Sequence, residues 1–240
     1  MQFWGATDVG RRRYNNEDRF VVSPELGFCA VADGMGGAAS GEVASRIFVE
    51  SALEVFRKGS RNPTNDPTAL IQEAFRVANE GILEFVQSNP LSSGMGCTAE
   101  MFAFRGSDYV VGHVGDSRTY LFRQWQLRQL TRDHSLVQDH VDRGIISAAD
   151  VRNHSMKHVI LRAVGINETL AVDLVRGKVL PGDVFLLCSD GLTDMLEDSI
   201  LEEILSQPLS LEERVGRLID MAKDAGGADN ITVVLCEVGA

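Results

Sequence analysis

Five aspartates sit at the ends of short apolar segments, each in a setting of Gly, Ser, Asn or another acid. They are Asp18 in Asn15-Asn16-Glu17-Asp18, Asp33 in Ala32-Asp33-Gly34-Met35-Gly36-Gly37, Asp116 in Gly115-Asp116-Ser117-Arg118, Asp190 in Cys188-Ser189-Asp190-Gly191 and Asp229 in Gly227-Ala228-Asp229-Asn230. A carboxylate at a strand tip, beside a residue with little side chain, leaves room for something to approach it. Several converging at one end of a sheet would repel one another unless a cation neutralised them. All the groups on offer are oxygen donors, with no His or Cys cluster, which favours Mg2+ or Mn2+ over Zn2+. One Asp-Gly alone reads as a turn. The set reads as a site for hard divalent metals.

The elements that would position these acids follow from the apolar pattern. Residues 3–9, 20–23 and 27–32 are short and apolar or alternating, as strands are. From Ser40, the residues Val43, Ile47, Val49, Ala52, Leu53 and Phe56 recur at helical spacing up to a stop near Gly59. A polar loop with Pro63 follows. A second amphipathic helix runs over 70–85 and closes near Asn89-Pro90. Strands are expected at 97–104, 109–114, 119–122 and 127–130, with separators short enough for hairpins. Residues 134–165 are mixed and partly helical, and the sheet resumes at 171–176 and 184–188. Helices over 199–205 and 211–225 precede a last strand at 231–238. Nothing in the chain reads as a linker or a repeat. The expectation is one α+β domain over 1–240, antiparallel sheets covered by helices, with 134–165 as a flap.

Hydrophobic residues make up 44% and charged residues 24% of the 240, ordinary for a globular chain with a full core. The net charge of −11 argues against a nucleic-acid partner, which would need a basic face. It leaves phosphate chemistry open, because bound metals reverse the local sign. The apolar runs are too short for a membrane span and the N-terminus lacks a secretory pattern, so a cytoplasmic protein is expected. Cys29, Cys97, Cys188 and Cys236 form no Cys-x-x-Cys pair and read as buried reduced thiols.

Gly34-Met35-Gly36-Gly37-Ala38-Ala39 fits G-x-G-x-x-A between a strand and a helix, the setting of a dinucleotide-binding turn. Asp33 would aim a negative charge at the pyrophosphate, and the next element is a helix rather than a strand, so no βαβ unit closes. The glycines read instead as backbone that turns sharply and lets a metal or phosphate come close.

Taken in order, Arg13-x-x-x-Glu17-Asp18, Ala32-Asp33-Gly34-Met35-Gly36-Gly37, Gly96-Cys97-Thr98-Ala99, Val114-Gly115-Asp116-Ser117-Arg118, Asp133-His134-Ser135, Ser189-Asp190-Gly191-Leu192-Thr193-Asp194 and Gly227-Ala228-Asp229-Asn230-Ile231-Thr232 span nearly the whole chain. This succession resembles the PPM family of metal-dependent protein serine/threonine phosphatases, the type 2C class, in its compact bacterial form. The resemblance implies a central antiparallel β-sandwich flanked by helix pairs, in four layers α/β/β/α. It implies that Asp33 bridges two Mn2+ or Mg2+ ions and Gly34 lends its carbonyl. Asp190 and Asp229 would bind the first ion, and one of Glu17 and Asp18 the second. Asp116 with Asp190 would hold a third, weaker ion. Asn230 and Asp194 would support ligands, and Arg13 would clamp the substrate phosphate.

Chemically, two ions about 3.5–4 Å apart can hold a bridging water in line with phosphorus. A guanidinium fork suits two phosphate oxygens. Arg13 also fits a solvated basic turn, Arg11-Arg12-Arg13. Many eukaryotic members carry His where Met35 stands, and a thioether cannot protonate a leaving group. No Cys-x5-Arg loop follows Cys188, so a cysteine nucleophile is not indicated. His134 is expected to be structural and His113 a satisfied core or pocket residue. The other His residues of the flap are expected at its surface, and the flap itself could select substrates or be an inert insertion. The implied partners are phosphorylated proteins, substrates of a Ser/Thr kinase, with no nucleic acid, no membrane and a monomeric state. Competing readings are a catalytically silent adaptor of the same fold, or a regulator acting on an anti-sigma-factor antagonist.

Overall fold

The computed structural model describes residues 1–36, 40–59 and 66–239. The loop around Pro63, and the Gly37-Ala38-Ala39 end of the glycine-rich turn, lie outside the described residues. Ten strands are described: β1 Gln2–Asp8, β2 Asp18–Ser23, β3 Phe28–Met35, β4 Gly96–Arg105, β5 Asp108–Val114, β6 Arg118–Arg123, β7 Gln126–Gln129, β8 Asp173–Lys178, β9 Val184–Cys188 and β10 Ile231–Glu237. The helices are α1 Ser40–Gly59, α2 Pro67–Ser88, α3 Leu136–Asp142, α4 Asp190–Thr193, α5 Asp198–Leu205 and α6 Leu211–Asp224.

The strands form two five-stranded sheets, ordered β1-β10-β9-β6-β7 and β2-β3-β4-β5-β8, and every strand pair is antiparallel. Strand alternation decides what each face meets. In β3, Phe28, Ala30 and Ala32 turn toward α1 and α2, while Cys29 and Val31 enter the space between the sheets. There they join Phe102, Tyr109 and Val111 from their own sheet, and Phe185, Leu187 and Val234 from the other. The Phe102 and Phe185 rings pack with centroids 4.4 Å apart. A third cluster seats α5 and α6 on the outer face of the other sheet, through Leu201, Ile204, Val215 and Leu218 against Leu186, Val233 and Leu235. The result is the expected sandwich with a helix pair on each side.

Local signals set the helix limits. Asp66 caps α2 by accepting from Thr68 N (3.2 Å), with Pro67 at the first position. Ser210 and Glu213 form a capping box at the start of α6. Both sequence-expected hairpins, β4–β5 and β6–β7, are present. No βαβ unit follows β3, since α1 leads into α2, as the case against a nucleotide turn required.

Two differences from the sequence reading bear on the site. Pairing with β2 reaches Asp33 and pairing with β4 carries β3 on to Met35, so Asp33 and Gly34 lie within the strand rather than in a turn beyond it. And Asp190 opens a single helical turn, too short to show a helical period. The 134–165 segment holds α3 and a 3-10 stretch at Ala148–Asn153, and its ends are stitched down by main-chain bonds between Leu136 and Val159, Leu161 and His134, and Cys97 and Val164. No helix among the described residues is long and apolar enough to cross a membrane.

Candidate metal centre

The acids meet where one end of the first sheet faces the same end of the second. Asp18 and Asp33 are direct register partners across β2 and β3. Asp116 follows β5, Asp190 follows β9 through Ser189, and Asp229 lies two residues before β10. Arg13, Glu17, Asp33, Gly34, Asp116, Asp190 and Asp229 all line one cavity of about 420 Å3. The structure therefore brings together every sequence-predicted site residue on its wall except Asp18.

Asp18 lies directly beneath it. Its side chain is fully buried, and its Oδ2 accepts from Ser189 Oγ (2.7 Å) and Thr232 Oγ1 (2.6 Å), both from the opposite sheet. Glu17, by contrast, lines the cavity. A Cβ on Gly41, in the first turn of α1, would come within 2.5 Å of Glu17 Oε2, so that carboxylate rests on the positive end of the helix. The acidic pair is thus divided: Glu17 lines the cavity, and Asp18 is buried behind it as the register partner of Asp33, tied to Ser189 and Thr232.

The electrostatics are those of an unneutralised cluster. Burial first, and then repulsion from Asp18, Asp190, Asp116 and Asp229, push the Asp33 carboxyl well above the usual range. Asp190 is raised in the same way, by burial and then by Asp116 and Asp229. Burial, with Asp133 next, lifts Asp116 to about 7. Burial lifts Asp18 to about 6 against the pull of its Thr232 and Ser189 bonds. Asp18 Oδ1, Asp116 Oδ1 and Asp190 Oδ1 are buried with no hydrogen-bond partner. Orphaned carboxylate oxygens of this kind carry a large desolvation cost that a cation would relieve. Oxygen donors clustered around a polar cavity fit a hard divalent ion such as Mn2+ or Mg2+.

Gly34 is required by close approach. A Cβ there would fall on the Gly41 carbonyl oxygen and within 2.6 Å of the Glu17 carbonyl oxygen. Arg13, half exposed, donates from Nη2 to Asp229 Oδ2 at 2.7 Å, so its guanidinium sits at the cavity rim on one of the acids. The Asn230 side chain is engaged by the chain itself: its Oδ1 accepts from Glu17 N (2.8 Å) and its Nδ2 donates to the Val9 and Asn15 carbonyls. Asp194 accepts from Lys157 Nζ (2.8 Å) and donates its main-chain N–H to Asp190 O (2.7 Å). His158, exposed, offers a ring nitrogen within 4.8 Å of Asp190 and Asp194 oxygens.

Other residues at the site carried no assigned role in the sequence. Ser189 and Thr232 hold Asp18, and Thr98, the register partner of Asp33, shares a 2.6 Å hydrogen bond with Ser117. Arg118 forms a bidentate pair with Asp133, Nε to Oδ1 (2.9 Å) and Nη2 to Oδ2 (2.7 Å). Arg152 fixes the flap to α4 by donating to the Thr193 and Leu196 carbonyls, each at 2.7 Å. All four cysteines are buried and free, and burial pushes the Cys188 thiol up, so it offers no thiolate nucleophile.

The protein phosphatase 2C family model matches residues 10–231. The serine/threonine phosphatase stp of Listeria monocytogenes is 38% identical over 235 residues, covering 96% of this chain and 93% of that protein. The crystal structure of the Mycobacterium tuberculosis serine/threonine phosphatase PstP/Ppp superposes with a TM-score of 0.93 at 35% identity, covering 100% of this chain and 99% of that one. The catalytic domain of PstP in complex with two manganese ions matches at a TM-score of 0.91 and 36% identity, over 100% and 98% of the chains. This chain belongs to the protein phosphatase 2C family, as its motifs indicated.

Proposed function

We infer that this chain is a metal-dependent phosphatase that removes phosphate from serine and threonine side chains of proteins. The observation that carries this reading is the buried acid cluster around Asp33 and Asp190, whose orphaned oxygens need a cation. When bound there, a pair of Mn2+ or Mg2+ ions would activate water for attack on phosphorus and offset the charge that develops. Asp33, Asp190 and Asp229, with the Gly34 carbonyl, would hold that pair, Glu17 would face the second ion, and Asp116 with Asp190 a weaker third. Asp18 would fix the Asp33 carboxylate from below. Arg13, released from Asp229, would pair with two phosphate oxygens and orient the substrate. Met35 has no proton to give, so leaving-group protonation falls to another group.

The 240 residues would act as one catalytic domain and as a monomer. A Ser/Thr kinase would supply the substrates in the cytoplasm, away from membranes and nucleic acid. The flap, latched on α4 beside the cavity, would contribute to the choice of phosphoprotein. Replacing it with that of a relative tests this, since unchanged discrimination between phosphoproteins would leave it an inert insertion.

Hydrolysis of a small aryl phosphate tests the whole reading. Activity should require manganese, stop with chelator, and be lost in Asp190→Asn. A fully active variant, or indifference to chelator, would contradict it.

A further inference from the structure

His134 grips Gly115, the residue before Asp116, from two directions. Its main-chain N–H donates to Gly115 O at 2.7 Å, and the Gly115 N–H donates back to His134 Nδ1 at 3.1 Å. A peptide N–H can only donate, so Nδ1 carries no proton and the ring hydrogen is on Nε2. That nitrogen faces Asp173 Oδ2 at 3.2 Å. Arg162 Nη1 lies 3.0 Å from the same nitrogen, and donates to Asp173 Oδ1 (2.7 Å) and the Ala171 carbonyl (3.2 Å). Burial, and then the charge of nearby His113, hold the His134 ring down to about 4, consistent with a neutral tautomer.

The neighbourhood shows why such a grip matters. Gly115 has φ +111°, and a Cβ there would drive into Thr98, so the peptide is wedged in one orientation against β4. Asp116 Oδ1 has no hydrogen-bond partner, so main-chain geometry directs that oxygen. The strand ends are cross-braced nearby: His113 Nε2 donates to Arg132 O (2.8 Å), and Arg118 pairs with Asp133 (2.7 Å). His134 also accepts the Leu161 N–H on its carbonyl at 2.7 Å, where the flap returns.

We propose that His134, as the Nε2–H tautomer, is a positioning residue that aims the Asp116 carboxylate through the Gly115 peptide and joins that corner to the base of the flap. The inference rests on the reading of Asp116 as a ligand of the weakest ion. Supporting contacts of this kind typically change metal affinity about 10–100-fold.

The test compares His134→Ala, His134→Asn and His134→Gln in the full chain. Asparagine can place its Oδ1 where Nδ1 stands and accept from Gly115; glutamine reaches only toward the Nε2 position. Manganese binding is followed by calorimetry and by the spin-resonance signal of free Mn2+, with thermal melting and aryl-phosphatase kinetics alongside. His134→Ala should weaken the weakest manganese class about 10-fold and leave the tighter ions alone. Asparagine should restore most of that loss, and glutamine should not. If alanine fails to fold, the asparagine and glutamine pair carries the comparison. Unchanged weak binding in alanine, or asparagine no better than glutamine, would overturn the proposal. Asp116→Asn separates the premise: if it leaves every manganese class unchanged, the reading of Asp116 as a ligand fails. If it abolishes the weak class while His134→Ala does not, only the positioning role fails.

Discussion

Asp18 and Asp33 face each other across the β2–β3 ladder, and the Asp18 carboxylate is tied to the other sheet by Ser189 and Thr232. One buried acid thus joins the two sheets directly under the acid expected to bridge the ions. Its second oxygen has no partner, so metal-free protein carries an uncompensated group at its centre. Asp18→Asn should therefore raise the Tm of chelator-treated protein while weakening manganese binding. Calorimetry and melting of the same preparation check both; a lower Tm with unchanged affinity would contradict the brace.

The same cluster sets a pH dependence. Asp18 is raised to about 6 and Asp116 to about 7 from an ordinary 3.8, with Asp33 and Asp190 also well above it, in each case chiefly by burial. Folded metal-free protein then holds protons that the unfolded chain releases near pH 4. Stability falls as pH rises through the folded values. In chelator, melting should drop on going from about pH 5 to about pH 8. A loss on the order of 2 kcal/mol corresponds to about 4–8 °C for a chain of this size. Saturating manganese should remove or reverse the trend, because the ions replace the protons.

Arg13 lies on Asp229 at the cavity rim. Arg13→Ala should raise KM for aryl phosphate about tenfold or more, the loss of one charge-assisted contact, with manganese affinity within about twofold of the parent. Steady-state kinetics and metal titration distinguish these; equal loss of both would place Arg13 among the groups that hold the metal corner.

Gly34→Ala is expected to cost about 3 kcal/mol or more, because the new methyl meets main-chain carbonyls that cannot rotate away. Denaturant unfolding measures it. A stable, fully active variant would show that β3 and α1 can separate there without consequence.

Glu100, His113 and Thr119 form a buried polar triad between the sheets: Glu100 accepts from His113 Nδ1 and Thr119 Oγ1, and His113 Nε2 faces the Arg132 carbonyl. Burial alone would lower the His113 pKa, but the charge and hydrogen bond of Glu100 outweigh it and raise it. Its stabilising contribution is complete below the unfolded value, near 6.5, and is lost as pH rises through the folded one. Glu100→Leu should cost about 3–5 kcal/mol by stranding His113, and pairing it with His113→Leu should recover part of that loss. Additive costs in the double variant would show that the two residues act independently.

Much of this was legible in the sequence because strand and helix periods are local. The 40–59 helix, the two hairpins and the resumption of the sheet at Val184 all follow from apolar spacing and punctuation. The acids were legible as a set because each lies at or near the end of an extended segment. What escaped depends on register between distant strands. Thr232 lies opposite Ser189 only because β10 pairs with β9, and nothing near Asp18 in the chain announces either partner. Glu100 sits in β4 among apolar residues, where a lone acid reads as a solvent-facing position. Its partners lie 13 and 19 residues away. The division of labour between Glu17 and Asp18 likewise needed the tertiary fold: Asp18 opens β2 and is held by Ser189 and Thr232, while Glu17, just before the strand, is placed by Asn230 and the start of α1.

The central claim is that carboxylates remote in sequence form one cage for a pair of cations. Anomalous diffraction at the manganese edge, from crystals grown with the ion, addresses it directly. The account predicts two strong peaks about 3.5–4 Å apart, with Asp33 between them and Asp190 and Asp229 on one. Peaks elsewhere, or none beside Asp33 at saturating manganese, would contradict it.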